Sequence, residues 1–594
     1  METHFLRGPD APSARRLFDA IGSKRLLGFD VETHFDPGRS DAHGEVVTWQ
    51  VADEATAWVV DARGWPLADP LVARWLEDAD APKAVHYGAF ELAVCARMGV
   101  TLRRIVDTFV LARLLTAGLE HHDLDAIGVP NHKLATLARV VIGVDLDKSL
   151  QTSFRSGEVP SEAQVRYAGL DAWATRELAV ALRDEAGRAG LLDAMRLELR
   201  FGEVVARMQH TGVPVDPDAW WAVCSRAFDD AARHERAAAL ALNAPLDVFG
   251  EPSGFNPNAN AQVQELLRAQ GIELADLSEA ALAQCPHPAA AHLLAYRRAK
   301  RVADWAAAPS GRGRIFSSFT SIGTGTGRMT CHEPNVLAIP SELLTAVRAA
   351  PGNVLVRADY GKQELYVLAS QSEDEGLAAA LRSGDPYANV AERIGVDRSL
   401  AKVAVLATAY GAGRRAIAAQ VGCSASDAAA LIASLRRAYP KAMEYCRRAV
   451  RLTAAPDRGH GLLVGAPAMT EIRCRLRRRL VAPGRYGNWG NTLVQSSAAD
   501  MTKLAAVRAS RGVEAAGGAL VLVVHDELVA EVPARSADEA LESIRAAMAS
   551  AARDVLGERS PLPPLEAGIG ETLVDAKRTR TPGAHTEPPA TVPA

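Results

Sequence analysis

Apolar positions change period several times along the chain. Residues 26–32, LLGFDVE, are a short apolar run ending in acids, which predicts a buried strand. Residues 46–60, VVTWQVADEATAWVV, read as two further strands around a turn. Apolar residues at three- and four-residue spacing then predict helices near 69–77, 89–98, 107–117 and 161–187. This order points to an α/β domain over 1–190. From 191 to 310 the pattern is almost wholly helical, as in LLDAMRLELRFGEVVARM and AQVQELLRAQG, broken by the turn-rich GEPSGFNPNANA. Strand character returns at 353–359 and at 519–532, the latter as two strands joined by a tight HDE turn. Helical spacing fills 371–455 between them. The end, TRTPGAHTEPPATVPA, is rich in Pro, Thr and Ala, and 578–594 is expected to be a disordered tail.

Composition narrows this picture. A chain of 594 residues has room for roughly three to five domains. Lys and Arg number 67 against 71 Asp and Glu, so the formal net charge is −4. The near-neutral balance permits a basic groove beside acidic surfaces. No apolar run reaches the roughly 18 residues of a membrane span. The start, METHFLRGPDAPSARR, has no apolar signal core. Seven scattered cysteines without a CxxC argue against a disulfide framework or zinc cluster. The expectation is a cytoplasmic monomer with reduced thiols and no membrane.

The acids carry the first chemistry. Asp30 and Glu32 are two apart on a strand, so both face one side. Asp171 lies on a helical stretch with Tyr167 four residues earlier on the same face. Glu91, in HYGAFELAV, is a further acid. Oxygen ligands without thiolates suit Mg²⁺ or Mn²⁺, two of which can activate a water and stabilise a leaving phosphodiester oxygen. Tyr167 is placed to orient that water. Alone, the DVE tripeptide is an ordinary strand-end acidic pair. In order, however, Asp30-x-Glu32, HYGAFE, Asp107-Thr108, LDKSLQTSFRSG and Tyr167-x-x-x-Asp171 resemble a 3′→5′ exonuclease of the DEDD group, tyrosine subtype, over about 20–185. The resemblance implies an RNase-H-like sheet with two metals between Asp30, Glu32, the motif-two acid and Asp171. Tyr87 and Glu91 stand where that family has Asn and Asp. The extra methylene of Glu91 moves its carboxylate by about 1.5 Å unless the backbone compensates, so the expectation is an active exonuclease, with a weakened or silent one as the alternative.

A second constellation follows. Asp359 ends a strand in VLVRADYGKQELYVLA, Glu364 begins the helix after it, and His525-Asp526-Glu527 forms the hairpin turn. Arg398, Lys402, Leu406 and Tyr410 are spaced by four along one helix face, two cations and then an aromatic, a pattern suited to a triphosphate with a stacked base. Each piece is weak alone. Taken in order, TGTGRMTCHEPNVLAIP, ADYGKQELYVLA, RSLAKVAVLATAYG, NTLVQSSAADMTK and VVHDELV resemble the polymerase motifs of family A DNA polymerases over roughly 195–575.

This resemblance assigns roles. Asp359 and Asp526 would hold two Mg²⁺, with Glu527 close by. Arg398 and Lys402 would bind the dNTP phosphates, and Lys402 would serve as acid to the leaving pyrophosphate. Tyr410 would abut the nascent base pair and the template position, Leu406 would sit where the family's ring packs near the sugar, and Glu364 would lie under the sugar and exclude a ribose 2′-hydroxyl. Arg328, Asn335, Asn491 and Gln495 would contact primer–template DNA, and His525 the primer terminus. Three positions depart from the family: Leu406 replaces an aromatic, Leu337 a Gln, and Gly487 an Arg for which nearby Arg485 is a substitute. The run RCRLRRRL at 473–480 and YRRAKR at 296–301 offer phosphate contacts.

The expected architecture is α/β and multidomain: an RNase-H-like exonuclease over 1–190, then a right-hand polymerase. The thumb and linker helices would occupy 191–310, palm 311–370 and 481–577, and fingers 371–480. The exonuclease is expected to begin near residue 25 with no 5′-nuclease domain before it, as in phage-encoded or short bacterial members. The expected function is DNA synthesis with proofreading in replication or repair, with accessory replication proteins as possible partners. Two rivals stand beside it. A ribonuclease-D-like RNA trimmer fits LDKSLQTS and YAGLDAW, and a catalytically silent primer–template-binding protein would need eroded metal sites.

Overall fold

The computed structural model describes residues 1–34, 44–245, 247–249, 252–383, 386–394, 396–409, 412–448, 451–452, 470–473, 478–481 and 489–577. Tyr410, Gly487, Arg485, the centre of the 473–480 basic run and the 578–594 tail lie outside these residues, as do the side chains of Leu406 and Asn491.

A six-stranded mixed sheet organises the N-terminal part. Its strands are β1 (Glu2–Leu6), β2 (Leu27–His34), β3 (Glu45–Ala52), β4 (Thr56–Asp61), β5 (Lys83–Val85) and β6 (Ile105–Asp107), in the order β1-β4-β3-β2-β5-β6. β2, β3 and β4 are antiparallel neighbours, whereas β1, β5 and β6 join in parallel. Helices α1 (Ala14–Gly22), α2 (Pro70–Glu77), α3 (Ala89–Arg97) and α4 (Thr108–Leu115) connect and cover it, and α5 (Glu162–Arg188) lies across β2, β3 and β4. The domain therefore starts earlier than residue 25. β1 is a half-buried edge strand whose five residues carry no clean alternation, so the sequence concealed it. Strands β5 and β6, three residues each, were hidden by brevity.

Gly28 sets the distance between strand and helix. A Cβ there would lie 2.0 Å from the carbonyl oxygen of Ala172, so α5 can approach β2 closely only because the side chain is missing. That approach brings Asp171 of α5 beside Asp30 of β2.

Helix α6 (Leu192–Thr211) leaves this domain, packing on α3 before reaching the second half of the chain. Helices α7 (Pro217–Ala241) and α8 (Pro288–Ala303) pack lengthwise as an arm. Asp216 caps α7 by accepting from the amides of Asp218 and Ala219, and Pro217 supplies the first turn.

The second sheet is four-stranded and antiparallel. It comprises β7 (Asn353–Tyr360), β8 (Ala519–Val524), β9 (Glu527–Pro533) and β10 (Leu565–Gly570), in the order β8-β9-β7-β10. Helix α9 (Gln363–Ser372) follows β7, and α10 (Arg398–Ala409) belongs to the helical insertion after it. Helices α11 (Trp489–Ala515) and α12 (Ala537–Leu556) pack against each other and the sheet. Their union forms the largest core cluster, into which Tyr360 is buried with its hydroxyl donating to the Met548 carbonyl at 2.7 Å. No single helix among the described residues is long and apolar enough to cross a membrane.

Candidate active sites

The first site lies where β2 meets α5. Carboxylate oxygens of Asp30, Glu32 and Asp171 lie within 4.8 Å of one another. Gln50 on β3, opposite Asp30 in register, donates to Asp30 Oδ2 at 2.6 Å. Lys148 ion-pairs with Asp171 and lies 3.5 Å from the Tyr167 hydroxyl. Burial and the neighbouring Asp171 push Asp30 up to about 7. Burial, with Asp30 and Asp171 adding repulsion, holds Glu32 well above the usual carboxylate range. Burial likewise raises Asp171, and raises the Tyr167 phenol. Crowded acids kept from water are what a bound cation would relieve.

Glu91 stands apart from this trio. It lies in the first turn of α3, is 3% exposed, and leaves Oε2 without a hydrogen-bond partner. Burial, then Asp30, raises it well above its ordinary range. Asp107 caps α4 and accepts from the amides of Tyr87, Gly88 and Phe109, so its oxygens are used by the backbone.

The second site lies at the tip of the antiparallel sheet. Asp359 pairs in register with Glu527 on one side and Glu566 on the other. The Tyr360 amide donates to the Asp526 carbonyl at 3.2 Å, tying the end of β7 to the β8–β9 turn. His525 adopts a positive φ of 53° in that turn, a conformation costly for a side chain with a Cβ. Burial and Asp526 push Asp359 up to about 7, and burial also raises Asp526. Arg357 Nη2 donates to Asp359 at 2.6 Å and to Glu527 at 2.9 Å. Arg328 ion-pairs with Glu364. Burial, then Arg328, lowers His525.

Around this tip, Arg398 and Lys402 are exposed on α10. The Arg398 guanidinium and the Lys362 ammonium each lie 5.9 Å from the ring of buried Tyr387. Asn335 is exposed and its side-chain oxygen faces Cys331 Sγ at 3.1 Å, and Gln495 is half-buried on α11. The fold thus gathers Asp359, Asp526, Glu527, Glu364, His525 and Arg328. Gln50, Lys148, Arg357 and Tyr387 were missed by sequence reasoning. The two-residue strand spacing that linked Asp30 to Glu32 also links Arg357 to Asp359, and Lys148 lay within LDKSLQTSFRSG.

An acidic mixed sheet followed by an acid-tipped antiparallel sheet, with a helical arm and a helical insertion, is the fold of an exonuclease domain followed by a polymerase domain. The descriptions that match are "DNA polymerase family A" over residues 242–564 and "3′-5′ exonuclease" over residues 11–186, and the chain belongs to DNA polymerase family A. DNA polymerase I of Chloroflexus aurantiacus is 28% identical over 92% of this chain and 61% of its own length. DNA polymerase I of Aquifex aeolicus is 24% identical over 86% of this chain and 90% of its own length. The chain spans about three fifths of the Chloroflexus relative. The polymerase domain of M. smegmatis Pol1, solved with DNA primer–template and dNTP, superposes with a TM-score of 0.78 at 23% identity, covering 97% of this chain and 100% of that one.

Proposed function

We propose that the chain extends primer 3′ ends on a DNA template with dNTPs, and that its N-terminal domain removes nucleotides 3′→5′. The observation that carries this reading is the meeting of Asp359 and Asp526 at one sheet tip, 167 positions apart in the sequence but joined through the Tyr360 amide.

The donor sets fit divalent ions. Asp359 Oδ1 and Asp171 Oδ1 are buried without hydrogen-bond partners, each an acceptor awaiting a cation. Asp359 and Asp526 would hold two Mg²⁺, with Mn²⁺ as the alternative, and Asp30, Glu32 and Asp171 would hold ions in the exonuclease. When bound, such ions neutralise charge on the phosphoryl group and its leaving oxygen.

The chain's own residues do the positioning. Arg398 and Lys402 face solvent four residues apart, where a triphosphate would lie, and Tyr387 braces the guanidinium from behind. Lys402 would serve as the acid to the leaving pyrophosphate. Glu364, tethered by Arg328, would rest under the sugar and reject a 2′-hydroxyl. His525, on its strained turn, would meet the primer terminus, while Arg328, Asn335, Asn491 and Gln495 track the duplex and Tyr410 the base pair. In the exonuclease, Tyr167 and Lys148 flank Asp171 and would orient the attacking water.

Primer extension with dNTPs and Mg²⁺ tests this reading. Extension lost in Asp359→Asn and retained in Asp30→Ala supports it. RNA trimming without extension would select the ribonuclease reading, and DNA binding without turnover the silent one.

A further inference from the structure

Arg357 has no role in the function proposed above. It precedes Asp359 by two residues, so both side chains leave the same face of β7. It is 7% exposed, and its Nη2 reaches Asp359 and Glu527 together. β7 is held between β9 and β10, so its backbone cannot yield without breaking two ladders. The corner is acidic from every side: Asp526 from the turn, Glu527 from β9, Glu566 from β10 and Glu364 from α9. Arg328 ion-pairs with Glu364, whereas the Arg357 guanidinium is pinned on Asp359 and Glu527. A guanidinium keeps its charge under all working conditions.

We propose that Arg357 is the palm's resident counter-cation, a positioning residue that holds Asp359 and Glu527 in place without a divalent ion and competes with an incoming ion for Asp359. The acids are thereby preorganised, and the divalent ion concentration that the palm needs is raised. This rests on the reading of Asp359 and Asp526 as metal ligands.

The test uses the full chain with Asp30→Asn and Glu32→Gln, so that bound Mn²⁺ reports the palm. Free Mn²⁺ is read by electron paramagnetic resonance, and melting is followed in EDTA and in Mn²⁺. Arg357→Gln is expected to bind Mn²⁺ about tenfold more tightly, the scale on which residues beside a metal ligand tune affinity. It is expected to melt lower in EDTA and to recover as Mn²⁺ saturates. Binding within about twofold of the parent, or the same melting loss with and without Mn²⁺, overturns the proposal. Should Arg357→Gln not fold, the parent chain labelled with ¹⁵N-arginine carries the test. The Nη–H signals of Arg357, assigned by their loss in Arg357→Lys, are expected to exchange slowly in EDTA and faster in Mg²⁺; indifference to Mg²⁺ overturns the proposal. Failure of the underlying reading looks different, because the parent would then hold no Mn²⁺ that Asp359→Asn removes.

Discussion

Asp30 and Asp359 are pushed up to about 7, each by burial first and by a neighbouring acid second. A carboxyl raised in the folded state binds its proton more tightly there than in the unfolded chain, where it titrates near 4. Its stabilising contribution is complete below that unfolded value and is lost as the pH rises through about 7. The metal-free protein is therefore expected to melt higher at about pH 5.5 than at about pH 8, with Asp30→Asn flattening the slope. Calorimetry in EDTA checks this, and excess Mg²⁺ should reverse the trend by favouring the ionised acids. Glu91 permits a second expectation at this scale. It stands outside the trio of Asp30, Glu32 and Asp171, so Glu91→Gln should slow nucleotide removal by about 10–100-fold, as for a residue that supports ligands. Glu32→Gln, which removes a member of the trio, should abolish it. Rates on a labelled single strand separate the two.

At the scale of elements, the exonuclease site depends on how closely α5 lies on β2. Gly28→Ala would place a methyl 2.0 Å from the Ala172 carbonyl, so helix or strand must shift. Overpacking of this kind costs about 1–3 kcal/mol. The expected outcome is lower thermal stability and lost nucleotide removal with primer extension intact, because the palm sheet shares no strand with β2. What the sequence made legible follows from period and length. Long strands such as β2 and β7 and long helices such as α5 and α6 announce themselves, since several turns or alternations repeat one pattern. The acids at Asp30, Glu32, Asp171, Asp359 and Asp526 were legible because motif order fixed them. The cations facing them were not, since Lys148 reaches Asp171 from a loop and Arg357 sits inside an apolar strand where its charge breaks the pattern. Gly28 was equally silent, because its role lies in a helix more than a hundred positions away.

Across the whole molecule, the two halves are joined by polar contacts set in apolar surroundings. Arg113 of α4 donates to the carbonyls of Ile322 and Gly323, holding the loop that leads to Arg328. Deeper in, Lys503 of α11 donates to Glu198 of α6 at 2.6 Å and to the Ser321 carbonyl at 2.7 Å. The side chains of Lys503 and Glu198 are 3% and 0% exposed. Helix α6 also packs on α3 of the exonuclease, so this pair anchors the element common to both halves. Removing one member of a buried ion pair strands the other charge, at a cost of about 3–5 kcal/mol. Lys503→Met should therefore lower the melting temperature substantially, since Glu198 would lose its 2.6 Å ammonium partner and the Ser321 carbonyl its donor. The double replacement Lys503→Met with Glu198→Leu should recover much of that loss, because no charge is then left buried. If the pair also holds the halves in register, the single variant will lose protection from hydrogen exchange in α6 and in the 321–328 loop together, while the double variant restores α6 but leaves the loop weaker for want of the Ser321 contact. Equal loss in both variants would mean that packing around α6, and not the ion pair, joins the two halves.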